Sequence, residues 1–165
     1  MKNRRWYVLF GCAFAVLLLL FASCAEELEM TPKEIGTRIK VAYGALPACA
    51  VYDSTAEEGQ DGYLPEERFA LLLGAEKLLP YTVTEIYACM SGNPASCEEI
   101  MVFRCRTASD ARDIAKLCLA RARTLDNSEG SRLASYAVCK GKTVVYYRLA
   151  DQAAAQKALA RVIGG

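Results

Sequence analysis

An unbroken uncharged run from Trp6 to Ser23, preceded by the cations Lys2, Arg4 and Arg5, constrains this chain more than any other feature. Its centre is Val16-Leu17-Leu18-Leu19-Leu20-Phe21, and it closes on the small residues Ala22 and Ser23 before Cys24. A positive start, an apolar middle and a small-residue exit make a bacterial export signal. The retained cations stay on the cytoplasmic side and orient the segment. What is left to fold is residues 24–165, one domain's length of sequence. A chain of that size buries about two-thirds of the surface its unfolded form exposes, enough for a core of its own.

The tetrapeptide Phe21-Ala22-Ser23-Cys24 resembles a lipobox, the cleavage site of bacterial lipoproteins, although that pattern prefers Leu where Phe21 stands. The resemblance implies that the sulfur of Cys24 receives a diacylglyceryl group before cleavage exposes its amine. Two other readings stay open. The apolar run is long enough to remain as a signal anchor, and an ordinary signal cut elsewhere would leave Cys24 incidental. Arg4-Arg5 lacks the polar-Phe-Leu-Lys continuation of a twin-arginine signal. The expected organisation is a signal peptide over 1–23, an acidic tether over 24–31 and a single domain over 32–165.

Composition removes several function classes. The chain carries 20 basic and 19 acidic residues with no basic tail, and nucleic-acid affinity depends on clustered Lys and Arg that neutralise phosphates. It has no histidine, which excludes Ser-His-Asp hydrolysis, Cys-His proteolysis and His-ligated zinc for the chain acting alone. The three signal cations depart with residues 1–23, leaving 17 basic against 19 acidic residues. Trp6, the single tryptophan, departs too, so the mature domain has no indole platform for stacking on sugars.

Helical and strand signals alternate along the rest. Thr31-Pro32-Lys33-Glu34 is a capping box with proline at the first helical position, followed by Ile35, Ile39, Ala42, Tyr43 and Leu46 at helical spacing up to Pro47. Residues 48–62 read as an irregular acidic surface loop without EF-hand ligand spacing. Leu64-Pro65-Glu66-Glu67 starts a short helix closed by Gly74. Val83, Ile86, Tyr87 and Ala88, the turn cluster Ser91-Gly92-Asn93-Pro94 and the run Glu99–Cys105 predict a hairpin. Met101, Phe103 and Cys105 would share its inner face, with Arg104 and Arg106 on a solvated one. Thr107 and Asp110 start a long helix that Asp126–Gly130 ends. Residues 134–139 and 142–149 predict a second hairpin about Lys140-Gly141. Asp151 caps a last helix over Gln152–Ile163, with Gly164 behind it. The economical arrangement is α+β: one antiparallel sheet of two hairpins with the helices on one face.

From Tyr81 onward the chain resembles a known family. Ile86-Tyr-Ala-Cys-Met-Ser-Gly92, Cys97-Glu-Glu-Ile-Met-Val-Phe-Arg104, the long helix with Ala115 and Leu119, and Tyr136-Ala-Val-Cys-Lys-Gly-Lys-Thr-Val-Val-Tyr146 are similar in order and pattern to domain-of-unknown-function family 4358. That resemblance implies a small lipoprotein of Firmicutes, chiefly clostridia, with a lipobox. It implies no activity and no functional residue except Cys24. The number of cysteines departs from the family pattern.

Six cysteines follow Cys24: Cys49, Cys89, Cys97, Cys105, Cys118 and Cys139. An even number outside the cytoplasm suggests disulfides, and Cys89 with Cys97, flanking the first hairpin turn, is the expected local pair. Cys105, Cys118 and Cys139 fall on core-facing positions, where a free thiol acts as a small hydrophobe. Mostly free thiols, one or two bridges and a metal cluster all remain open, although no C-x-x-C occurs. Glu98-Glu99 and Glu66-Glu67 are adjacent carboxylates expected on the surface, since strand neighbours point oppositely and cannot face across a cleft. Nucleophile-elbow and phosphate-loop motifs are absent. Arg104, Arg106, Lys140, Lys142 and Arg148 could gather on an open sheet face beside an anionic membrane or wall polymer, against the plainer reading of scattered solvated charges.

The expectation is therefore a lipoprotein held on the outer face of the cytoplasmic membrane of a Gram-positive bacterium through diacylglyceryl on Cys24. It acts there as a non-enzymatic binding or assembly module for an envelope protein or wall polymer, with no cofactor, metal or nucleic acid. The alternative is an envelope enzyme or thiol-redox protein whose Cys or carboxylate arrangement sequence does not reveal.

Overall fold

A computed structural model describes residues 27–44, 46, 48–65, 68, 71–74, 83–92, 97–129 and 133–164. The segment read as an export signal and Cys24 lie outside the described residues, as do Glu66, Glu67 and other parts of the expected short helix, of which Arg68, Leu71 and Leu72 are helical.

Among the described residues the named elements are α1 (Pro32–Tyr43), β1 (Cys49–Asp53), β2 (Val83–Ser91), β3 (Glu99–Cys105), α2 (Ala108–Glu129), β4 (Ala134–Lys140), β5 (Thr143–Leu149) and α3 (Gln152–Ile163). The fold is α+β. The strands form one antiparallel sheet in the order β1-β2-β3-β5-β4. β2 with β3 and β4 with β5 are adjacent antiparallel pairs within it. α2 carries the chain from β3 to the far edge strand β4, and β5 then returns to fill the slot between them.

Local chemistry sets the helix ends. The Thr31 hydroxyl accepts from the Glu34 amide and the Glu34 carboxylate accepts from the Thr31 amide, so the capping box is complete. Thr107 and Asp110 repeat the exchange at the start of α2. Asp151 accepts from the Ala154 amide and starts α3. α2 does not stop at Asp126 as expected but runs to Glu129. Asp126 sits in its last turn, paired with Arg148, and that partner offsets its poor helix propensity.

The helices lie on both faces of the sheet, which corrects the one-face expectation. Ile86, Ala88, Met101, Phe103, Cys105, Val144 and Tyr146 pack with Ala111, Ile114, Cys118 and Ala122 of α2. The alternate residues Ile100, Val102, Val145, Tyr147 and Leu149 pack with Ile35, Ile39 and Tyr43 of α1 and with Ala155, Ala158 and Ile163 of α3. The reason is visible in the central strands: β5 is buried at all seven positions and β3 at six of seven. Strands buried this continuously need cover above and below. Gly36 lets α1 approach closely, since a Cβ there would run into the Tyr87 ring.

Two further differences concern the front of the chain. Residues 49–53, read as loop, form the edge strand β1, pairing Cys49 with Ser91 through Asp53 with Tyr87. The tether is not free either. Arg104 Nη1 donates to the Leu28 carbonyl at 2.9 Å and to Thr143 Oγ1 at 2.8 Å, and Nη2 donates to the Met30 carbonyl at 2.6 Å. Leu28 and Met30 pack against the α1–α3 core at the same place. Arg104 thus lies under the tether rather than on a solvated face.

Candidate functional site

The charged residues of the sheet come together mainly at the end where β3 begins and β5 ends. Glu99, 2% exposed, lies among the apolar residues of the α2 side. Its carboxylate accepts from Arg121 Nε at 3.0 and 3.1 Å, from Arg121 Nη2 at 2.9 Å and from the Tyr146 hydroxyl at 2.8 Å. Burial, and then the Glu99 charge, push the Tyr146 hydroxyl far above an ordinary phenol. Burial works against the Arg121 charge, but the Glu99 contact outweighs it and raises the guanidinium further. This is a forked, desolvated ion pair with its acceptor sites filled.

Glu98 points to the opposite face. Its Oε1 accepts from the Tyr43 hydroxyl at 3.0 Å and from the Ala150 amide at 3.0 Å, and the Tyr43 hydroxyl accepts in turn from the Asp151 amide at 3.2 Å. Arg148 is fully buried, donating to the Cys97 carbonyl at 2.7 Å and to Asp126 Oδ1 at 2.8 Å. The expectation that Glu98 and Glu99 are solvated is therefore corrected: both bind secondary structure together from inside. The same holds for the open cationic face, because Arg104 and Arg148 project to opposite sides and helices cover both.

The cysteines are distributed differently from the local pairing expected. Cys89 is bonded to Cys49, with Cα atoms 5.9 Å apart, rather than to Cys97, whose backbone sits at φ 44°. The sequence could not show this, because Cys49 lay in a segment read as loop rather than as the strand beside Cys89. Burial pushes the Cys105 thiol up to about 12 and raises Cys118 further. Cys139, expected at a core-facing position, is instead exposed at the β4 edge, its Sγ 3.6 Å from the Ala111 carbonyl, and partial desolvation there still raises its thiol. Nucleophilic thiols need the opposite shift. Among the described residues, no group of three or more Cys, Asp or Glu side chains is placed to hold a metal ion.

Two concave regions flank β1. The smaller, about 210 Å³, is lined by Thr31, Pro32, Lys33, Asp53, Thr55, Glu85 and Ile86. At its floor Asp53, 5% exposed, accepts from the Thr55 amide at 2.9 Å and hydroxyl at 2.7 Å and pairs with Lys33 at 2.9 Å. Burial pushes this carboxyl up, but Lys33 and Thr55 outweigh it and hold Asp53 below the usual carboxylate value. The larger, an open groove of about 500 Å³, lies between the outer edge of β1 (Cys49–Tyr52) and residues 60–63. The Asp53 amide donates outward to the Gly62 carbonyl at 2.8 Å. Backbone alternation then turns the amides of Val51 and Cys49 the same way, into the groove. Gly62, at φ 84°, lies so close that a Cβ would come within 2.8 Å of the Val51 carbonyl. Strand addition uses an edge of this kind.

No family model, no curated protein and no solved structure matches the chain.

Proposed function

We propose that this protein is an exported lipoprotein, anchored on the outer face of the cytoplasmic membrane through diacylglyceryl on Cys24, and that it works as a binding or assembly module of the cell envelope. The observation that carries the reading is the Cys49–Cys89 disulfide, which ties the edge strand β1 to the body of the sheet. Disulfides of this structural kind persist in oxidising, extracytoplasmic surroundings, in keeping with the export signal read at residues 1–23. The bridge also fixes a strand edge that opens on a groove. The partner is an extended segment of an envelope protein or a wall polymer, received along Cys49–Tyr52 and residues 60–63. The buried carboxylates are engaged in holding the sheet and the buried thiols are raised, which favours this reading over catalysis or thiol exchange.

Cys24→Ala tests the anchor: the protein should leave the membrane fraction or accumulate as precursor. Retention at mature size in the membrane refutes it. A photo-crosslinking residue at position 51 tests the module, since it should give adducts in intact cells that the same residue at exposed position 120 does not.

A further inference from the structure

We propose that the docked tether sets the orientation of the whole domain, laying the sheet end that carries Arg104 and the β4–β5 turn against the anionic headgroups of the bilayer that holds Cys24. This rests on the reading of Cys24 as the lipid-bearing residue. Cys24 is four residues from Leu28, at most about 14 Å of extended chain. Leu28 is fixed by its carbonyl to Arg104, whose side chain is 16% exposed, and Arg104 is fixed to Thr143 at the start of β5. The anchor and that end of the sheet therefore cannot separate. A folded partner does not fit into so short a gap, and the bilayer surface does not have to.

Several elements reach this same end. Arg104 pairs with Thr143, Lys140 pairs with Thr143 across the turn, and Val83 pairs with Cys105. Arg106 and Lys142 are exposed and Lys140 half-buried. Glu27 lies 3.9 Å from Arg104 and 3.8 Å from Lys142, and Glu29, Glu34 and Asp110 stand at the same end, so its charge is mixed and the short tether, rather than a surplus of cations, keeps this end at the bilayer. The opposite end, where Glu98, Glu99, Arg148 and Asp151 lie, is about seven residues of strand away, roughly 23 Å, and points into the envelope.

The mature chain lacks tryptophan, so a single introduced one reports only its own surroundings. Ala108 and Ala153 are exposed in the first turns of α2 and α3, at the near and far ends respectively. Each alanine is replaced by tryptophan, and the protein is purified from membranes of producing cells, weighed by mass spectrometry and reconstituted in phosphatidylglycerol vesicles with a headgroup-nitroxide lipid. Ala108→Trp should be quenched about twofold and Ala153→Trp hardly at all, given the ~23 Å between the ends. Inserting about twelve Gly/Ser residues between Ala25 and Glu26, a coil spanning roughly 20 Å, should abolish that difference without touching the core. Equal quenching at both positions on protein of lipidated mass overturns the orientation and leaves the lipoprotein reading standing. A mass without diacylglyceryl overturns both.

Discussion

Replacing Glu99 by Gln tests whether the sheet is held from inside by charge. Glu99 and Arg121 side chains are 3% and 17% exposed, joined through the Nε–Nη2 edge of the guanidinium by three contacts, and Tyr146 adds a fourth. Removing one charge of a desolvated pair leaves the other uncompensated, at a cost of about 3–5 kcal/mol. Arg121 keeps some access to water, which places Glu99→Gln near the low end, about 3 kcal/mol. For a domain of this size that is a fall in Tm of roughly 10 °C. Tyr146→Phe removes one hydrogen bond to a charged acceptor and should cost about 1.5 kcal/mol. Changing both partners to apolar residues, Glu99→Leu with Arg121→Met, should be milder than either single change, because no orphaned charge remains. The assay is urea unfolding of residues 24–165 by circular dichroism and tyrosine emission, with exposed Glu57→Gln as control. If Glu99→Gln costs no more than Glu57→Gln, the buried ion pair is not part of the native structure.

Other predictions follow from the same geometry. Cys49→Ser opens a bridge spanning 40 residues and should lower stability by up to about 4 kcal/mol on chain-entropy grounds, read as a lower urea midpoint. Gly36→Ala ordinarily strengthens a helix, but here the new methyl meets the Tyr87 ring. Overpacking of about 1–3 kcal/mol should win, and a rise in Tm would contradict the close approach. Asp53 has a folded pKa below its unfolded value. Its contribution is therefore complete above the unfolded value, near 4, and lost as pH falls through the folded one. In urea midpoints measured from pH 5 to 2, Asp53→Asn should flatten that part of the acid limb.

The sequence was most informative where chemistry is local. Thr31 with Glu34, Thr107 with Asp110 and Asp151 each needed only neighbours within four residues, and each caps the expected helix. Gly141 at φ 55° turns the second hairpin for the same reason. The edge strand β1 was hidden because five residues beside an acidic turn carry little periodic signal, and its pairing with β2 depends on residues some 40 positions away. The placement of helices on both faces was legible in principle: the runs Glu99–Cys105 and Thr143–Leu149 hardly alternate, which is how strands buried on two sides read. The same runs could have exposed Glu99 and Arg148, because a charge inside such a strand has to be paired. Which partners they take, Arg121 and Asp126, is set by α2 crossing the sheet, and that is tertiary information.

The most direct test of the account is the intact mass of the protein extracted from its native membranes, denatured and alkylated without reduction. The account predicts residues 24–165 plus one diacylglyceryl group, with alkylation of Cys97, Cys105, Cys118 and Cys139 only, since Cys49 and Cys89 are bonded and Cys24 carries the lipid. A full-length mass, or alkylation of Cys49 and Cys89 as well, would contradict it.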